Sequence, residues 1–405
     1  MTAPSPDTAD PAAGPIADPT APAFGVYVHW PFCESKCPYC DFNSHVAEGV
    51  DQARWARALV QDLAHYAEDT PERTVTSVFF GGGTPSLMQP ETVAAVIDGI
   101  KRLWATAPDL EISLEANPSS AEIALFPDLK EAGVTRLSLG VQSFDDDALR
   151  QLGRRHDAQA ARRALAGAAQ YFQEFSFDLI YARPDQTKAS WQKELAEGLS
   201  FAGPHLSFYQ LTIEPGTPFH KDGVQAADGD RGAELFDITQ DVLTRAGLPA
   251  YEISNHARPG HECRHNLSIW RGWDYVGAGP GAHGRLALAD AGGRVRDFGT
   301  HQIHNPDRWL SLVEQKGHGT AKRRPLDPAD RAEERVIMGL RLAEGIDRAR
   351  FRRQTGLEVL DLIDPAKLSY AVGAGYVELD ETCLRATDAG RLRLNSLLAS
   401  LLAER

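Results

Sequence analysis

The chain has 405 residues, a length that at roughly 150 residues per domain allows two to three domains around a large core. Its 42 Lys and Arg against 56 Asp and Glu leave a net charge of -14, which argues against a nucleic-acid or anionic-membrane partner held by bulk charge. No apolar run reaches the ~18 residues that would span a membrane, and no Lys or Arg precedes Lys36 to open a signal peptide, so a cytoplasmic location is the expectation.

Residues 1–23 carry six prolines among Ala, Thr and Asp with little to bury, and read as a disordered leader. From Phe24 onward short β-branched or aromatic runs (25-GVYVH, 75-VTSVFF, 110-LEISLEA, 136-RLSLGVQ, 175-FSFDLIY, 206-LSFYQLT) alternate with amphipathic stretches. The apolar spacing predicts helices over 52–66, 91–104, 158–171, 191–199 and 231–246. Six strands alternating with helices predict an α/β architecture with a parallel sheet. A closed eight-unit barrel would need two more units, which leaves a partial barrel or an open doubly wound sheet. Chemically versatile residues fall at strand ends: Gly81 to Thr84 after the second run, Glu115 after the third and Gln142 after the fourth, with Asp178 inside the fifth. Parallel sheets bind ligands at that edge.

After Gly284 the rhythm stops, and 285–328 reads as a connecting segment between the 24–284 unit and a C-terminal module over 329–405. That module reads as a helix, two shorter helices, a hairpin at 376-YVELDETCLRAT and a last helix, a winged-helix-like α+β order. Its 12 basic and 13 acidic residues give no electrostatic footprint for DNA, which counts against a DNA-binding regulator.

Three of the five cysteines, Cys33, Cys37 and Cys40, lie within eight residues in 27-YVHWPFCESKCPYCDFN, a pattern suited to a metal or redox site in a reducing compartment. Spacings of four and three cannot share one helical face, and Pro38 interrupts a helix, so a loop must wrap what the thiols ligate. Thiolates select zinc or iron-sulfur. A structural zinc site wants four protein ligands, and His29 and His45 would have to supply the remainder. A [4Fe-4S] cluster on three cysteines instead keeps one iron open for a small chelating ligand.

With Tyr39 before the last cysteine, the loop resembles the radical S-adenosylmethionine (radical SAM) signature. YVHWPFC and CDFN resemble more narrowly the oxygen-independent coproporphyrinogen oxidase group and its HemW-type haem-chaperone branch. FFGGGTPS, LEANP, RLSLGVQSF, LGRRH, DLIYARPDQT, LTIEPGTP, YEISNHARPGHECRHN and VGAGPGAHG continue the match in order. The resemblance implies a partial (β/α)6 radical SAM barrel with a [4Fe-4S] cluster whose open iron chelates SAM, an electron then cleaving SAM to a deoxyadenosyl radical. By the same resemblance Tyr27, Gly82, Glu115, Gln210 and His283 line a SAM site. Tyr39, Gly83, Thr84, Gln142, Arg154 and Asp178 match positions that hold a second SAM in the oxidase. The plainer alternative for Gln142 and Asp178 is a satisfied polar group between sheet and helix, and for Tyr27 and Tyr39 core packing.

The oxidase pattern has a fourth cysteine two residues after the third, where this chain has Phe42. Conversely, 265-HNLSIW matches the haem-binding motif of the chaperone branch except that Ile269 stands where the motif has Tyr. His265 keeps the imidazole able to ligate haem iron, and His256, His261 and Cys263 offer alternatives within ten residues. The expected function is therefore a haem chaperone with cluster, SAM and haem, partnered by an acceptor haemoprotein and an electron donor, with peripheral contact to membrane proteins and no nucleic acid. The alternative is an oxygen-independent coproporphyrinogen III dehydrogenase of porphyrin biosynthesis, working by radical decarboxylation.

Overall fold

The first apolar run, Phe24–Trp30, forms strand β1 at the middle of a large sheet. Its residues divide by parity, as a strand's must. Val26, Val28 and Trp30 are fully buried toward the helical layer, while Gly25, Tyr27 and His29 face the inside of the curve, against Phe79, His265 and the glycines of the neighbouring strand. The structure, a computed structural model, describes residues 22–289 and 293–402. Nearly all of the leader expected over 1–23 lies outside the described residues.

The sheet continues through β2 (Thr74–Gly82), β3 (Ala105–Ala116), β4 (Arg136–Gln142), β5 (Glu174–Tyr181), β6 (His205–Gln210) and β7 (Asn255–Ala257). On the other side of β1 lie β8 (Asp274–Ala278), β9 (His283–Ala289), β10 (Val295–Gln302) and β11 (Thr320–Pro325). The spatial order is β11-β10-β9-β8-β1-β2-β3-β4-β5-β6-β7, so the sheet curves without the two ends pairing. Strands β1 to β6 are mutually parallel, in the expected partial barrel, and β8 adds a seventh parallel strand against β1.

The segment 285–328, expected only to connect, instead builds β9 to β11 and the helix Pro306–Lys316 onto the sheet edge. Its strands are antiparallel and half-exposed, so their polar-apolar alternation is faint beside the continuous apolar runs of the doubly covered parallel strands.

The helices fall where the 3.6-residue pattern places them; four of the five are started by a side-chain cap, and Pro90–Leu103 begins on its proline without one. Asp51 accepts from the Arg54 amide at 2.9 Å to open Gln52–Ala67, Asp157 from Ala160 at 2.7 Å to open Ala158–Tyr171, and Thr187 forms a capping box with Ser190 to open Lys188–Ser200. Helix Gln52–Ala67 bears on the site directly. Its Trp55 meets Trp30 (centroids 5.6 Å apart), Phe32 (5.0 Å) and Trp309 (5.3 Å, stacked). Each such aromatic pair contributes about 0.5–1.5 kcal/mol beyond area burial. Phe32 immediately precedes Cys33, so this aromatic knot fixes the root of the cysteine loop.

A second apolar cluster, Ala332 to Leu401, forms the core of the C-terminal module around a three-stranded antiparallel sheet of Ile346–Asp347, Cys383–Ala386 and Val377–Leu379. It docks on the barrel through Arg271 paired with Glu344 at 2.7 Å and Arg341 over the Trp270 ring at 4.6 Å. Among the described residues no helix is long and apolar enough to cross a membrane.

Candidate cofactor site

The carboxyl ends of β1 to β6 open into one cavity of about 690 Å³. Cys33, Cys37 and Cys40 line it together with Tyr39, Gly82, Gly83, Thr84, Glu115, Gln142, Arg154, Asp178 and Gln210. Twelve residues expected from the sequence thus meet in one place, drawn from five strands and three loops.

The cysteine loop is closed by Lys36, whose ammonium donates to the carbonyls of Phe42 (3.1 Å) and Ser44 (3.4 Å), and by Cys40 N to Cys37 O at 3.1 Å. Asn43 ties the loop to the far side of the barrel, donating to the Pro280 and His304 carbonyls at 2.9 Å each. His29 supports it from below through Nε2 to Asn43 O at 2.9 Å, with Tyr27 Oη on its Nδ1 at 2.9 Å. Burial pushes the Cys33 and Cys40 thiols up, so both are protonated at neutral pH and a bound metal must displace those protons.

Among the described residues no three His, Cys, Asp or Glu side chains are gathered as a single metal ion would need. The three thiols nonetheless share the cavity wall. Sulfurs that face one space without converging on one point suit a multinuclear cluster better than tetrahedral zinc, and among the described residues neither His29 nor His45 gathers with the thiols as a zinc set would need.

The glycine run has a steric cause. Gly82 sits at φ +117°, and a Cβ there would lie 2.6 Å from the His29 ring; a Cβ on Gly83 would lie 2.6 Å from the Phe32 carbonyl oxygen. Only glycine lets β2 end this close to the cysteine loop and leaves backbone exposed to a ligand. Gly83 N and Thr84 N then donate to the Trp30 and Phe32 carbonyls at 2.7 and 2.8 Å. On the opposite wall Gln142 takes φ 69°, a left-handed conformation that costs about 1–3 kcal/mol for a non-glycine residue. Strain of that kind concentrates at ligand sites.

Seven acidic side chains line the cavity, and two of them, Glu115 and Asp178, come from its strands. Glu115 accepts from the Gly82 amide at 3.2 Å, and burial, helped by the nearby Asp178 charge, pushes its carboxyl up to about 8. Burial likewise raises Asp178 to about 7, against the opposing effects of Ser207 and the Arg154 charge. Both are held short of full ionisation at neutral pH, ready to ionise against a cationic amino or sulfonium group.

Three expected residues stay off the cavity wall. Tyr27 lies beneath it, its ring against Phe79 and His265, and burial raises its hydroxyl well above the ordinary range. His283 is exposed at the start of β9, stacked on His301 with centroids 4.2 Å apart. His265 is 2% exposed at the amino end of the barrel, its Nδ1 3.1 Å from Ser77 Oγ and its ring stacked on Phe79. Burial lowers its imidazole to about 3. Sequence reasoning missed Ser44, Asn43 and Asn117. Asn117, inside the LEANP stretch, donates to Thr84 Oγ1 at 3.1 Å and accepts from Arg154.

A partial parallel barrel with three thiols and a glycine wall at its carboxyl mouth defines a radical SAM domain. Residues 27–196 match the Radical SAM superfamily and 326–393 the HemN C-terminal domain. The chain is 39% identical, over 98% of its length and 91% of the relative's, to "Radical S-adenosyl methionine domain-containing protein 1, mitochondrial" of Bos taurus. It is 38% identical to "Heme chaperone HemW" of Escherichia coli, over 95% of this chain and 99% of that one, and 32% identical to that of Bacillus subtilis, over 93% and 99%. The solved "Coproporphyrinogen III oxidase (HemN) from Escherichia coli" shares the fold, with a TM-score of 0.77 at 23% identity, covering 95% of this chain and 91% of that one. The chain belongs to the radical SAM superfamily, in the family of HemW and its mitochondrial relatives. Membership of that superfamily implies a [4Fe-4S] cluster and SAM, and the donor set described above fits both.

Proposed function

We propose that the chain is a cytoplasmic haem chaperone that holds a [4Fe-4S] cluster on Cys33, Cys37 and Cys40 with SAM in the adjoining cavity, takes up haem and passes it to an acceptor haemoprotein. The observation that carries this reading is the end-to-end relationship to proteins named heme chaperone. When bound, cluster and SAM supply one-electron chemistry. The chain's own residues provide the setting: Gly82 and Gly83 bring backbone to the ligand, Glu115 and Asp178 receive positive charge, and Lys36 keeps the loop shut.

The alternative, the oxygen-independent coproporphyrinogen III dehydrogenase, is weakened at Phe42. This side chain is 60% exposed at the cavity rim, where the oxidase pattern has a thiol, and it can neither ligate iron nor pass a proton or hydrogen atom.

For haem, the loop 256–265 offers four candidate ligands with very different access. His256, Cys263 and His265 are 1%, 3% and 2% exposed, whereas the His261 side chain is 41% exposed. Its Nδ1 lies 2.6 Å from Glu174, which is itself paired with Arg136 at 3.0 Å, leaving Nε2 free for iron. A carboxylate on the other ring nitrogen is the usual orientation device for a ligating histidine. This access supports His261 as the ligand reached first, with His265 available only if the helix Arg264–Trp270 lifts from Ser77. The test is transfer: haem-loaded protein mixed with an apo-haemoprotein of distinct Soret maximum should hand over its haem, and retention of all haem by the chain would overturn the reading.

A further inference from the structure

Arg154 matches a position that holds a ligand in the oxidase, yet here it reaches the cluster loop. Nη1 donates to Cys37 Sγ at 3.5 Å, and both Nη2 protons are taken, one by Asn117 Oδ1 and one by the Gly140 carbonyl at 2.8 Å. Nε is sealed from solvent without a partner, and among the described residues no carboxylate pairs with this guanidinium. Neither edge of the fork is free to grip a carboxylate bidentately, which is what arginine does best.

The contacts continue on both sides. Asn117, whose amide is fixed on Glu122 at 2.7 Å, donates to Thr84 Oγ1 at 3.1 Å, and Thr84 Oγ1 in turn donates to Cys33 Sγ at 3.4 Å. An unbroken chain of hydrogen bonds therefore runs from the Cys33 sulfur through Thr84, Asn117 and Arg154 to the Cys37 sulfur. The third sulfur, of Cys40, has Ser44 Oγ at 4.0 Å. Thr84, Arg154 and Ser44, which reach the sulfurs of Cys33, Cys37 and Cys40, come from three different segments of the chain, and one of the three carries a full positive charge.

We propose that Arg154 is a positioning residue for the cluster: locked by Asn117 and Gly140, it sets a positive charge on the Cys37 sulfur and raises the cluster's reduction potential. The inference rests on the reading that these cysteines hold a [4Fe-4S] cluster. Hydrogen bonds to cluster sulfurs and nearby charge are the means by which a protein tunes such a potential, because both stabilise the more negative, reduced form. The fixed acceptors on Nη2 matter because a guanidinium free to swing into the cavity would spend its charge on solvent or ligand.

The test is a potentiometric titration followed by electron paramagnetic resonance on the full chain, reconstituted anaerobically without SAM, with iron content measured on each sample. Arg154→Gln should keep its iron while the ratio of reduced to oxidised cluster at a fixed potential falls about tenfold, a shift of ~59 mV for a one-electron couple. Arg154→Lys should recover most of that shift, and Thr84→Val should move the potential the same way by less. Full iron with an unchanged potential in Arg154→Gln overturns the inference, as does weakened SAM affinity with an unchanged potential, which would return Arg154 to the ligand. If Arg154→Gln cannot hold iron, Arg154→Lys decides: iron at the wild-type potential supports the inference, and no iron overturns it. A wild-type protein that takes up no iron removes the cluster reading itself.

Discussion

Replacing Glu115 by Gln tests the electrostatics of the cavity at a single atom pair. The carboxyl rises from 4.5 to about 8, chiefly by burial, so in ligand-free protein it is mostly protonated at pH 7. A folded-state value above the unfolded one means the group favours folding at low pH and that this contribution is lost as pH rises from about 4.5 to about 8. For a dry site the gap would correspond to roughly 5 kcal/mol at ~1.36 kcal/mol per pH unit. Water in the cavity screens the charge, so about 1–2 kcal/mol should be observed. In urea unfolding the ligand-free Glu115→Gln protein should therefore match wild type at pH 5 and exceed it by about that amount at pH 8.5. SAM binding reverses the sign. A cationic ligand pulls the carboxyl back to its ionised form, so wild type should bind SAM more tightly as pH rises toward 8 and release a proton on binding. By calorimetry in two buffers of different ionisation enthalpy, Glu115→Gln should release about one proton fewer at pH 7 and bind about tenfold more weakly at pH 8.5. A variant less stable than wild type at both pH values, with proton release intact, would refute the reasoning.

Three further outcomes follow from the site. Cys37→Ala should lose the cluster's iron and visible absorbance while keeping its far-ultraviolet circular dichroism, because the loop lies outside the sheet core; retained iron would sink the ligand assignment. Asn43→Ala removes both hydrogen bonds that tie the cysteine loop to Pro280 and His304, and should cost about 1–3 kcal/mol in unfolding free energy and speed iron loss to a chelator. His261→Ala should weaken haem binding at least about tenfold while His265→Ala, a change at a buried ring, should lower thermal stability more than it lowers haem affinity; the reverse order would show that the helix Arg264–Trp270 opens to admit haem.

The sequence was legible where the determinants are local. The cysteine spacing, the glycine run and the apolar parallel strands declare themselves within a dozen residues, and the helix Ala158–Tyr171 starts and stops where its pattern says. What was not legible depends on long-range contact. Asn117 acts on residues 33 and 37 positions away, and Asn43 reaches across 237 residues to Pro280 and 261 to His304. A motif read along the chain gives the identity of such residues but not their partners. His265 shows the same gap from the other side. An imidazole in a histidine-rich loop has the chemistry of an iron ligand, but only the packing of its helix onto Ser77 and Phe79 reveals that this ring fills the amino end of the barrel. Strands β9 to β11 escaped because half-exposed antiparallel strands lack the continuous apolar run that marked their parallel neighbours.

The central claim, haem handling rather than porphyrinogen decarboxylation, is tested most directly by one preparation carried through two assays. Protein reconstituted anaerobically with iron and sulfide is titrated with haem, and the same sample is then given SAM, reductant and coproporphyrinogen. Stoichiometric haem binding with no protoporphyrinogen formed is the predicted result. Protoporphyrinogen among the products, with no saturable haem binding, would contradict the account and assign the chain to the oxidase.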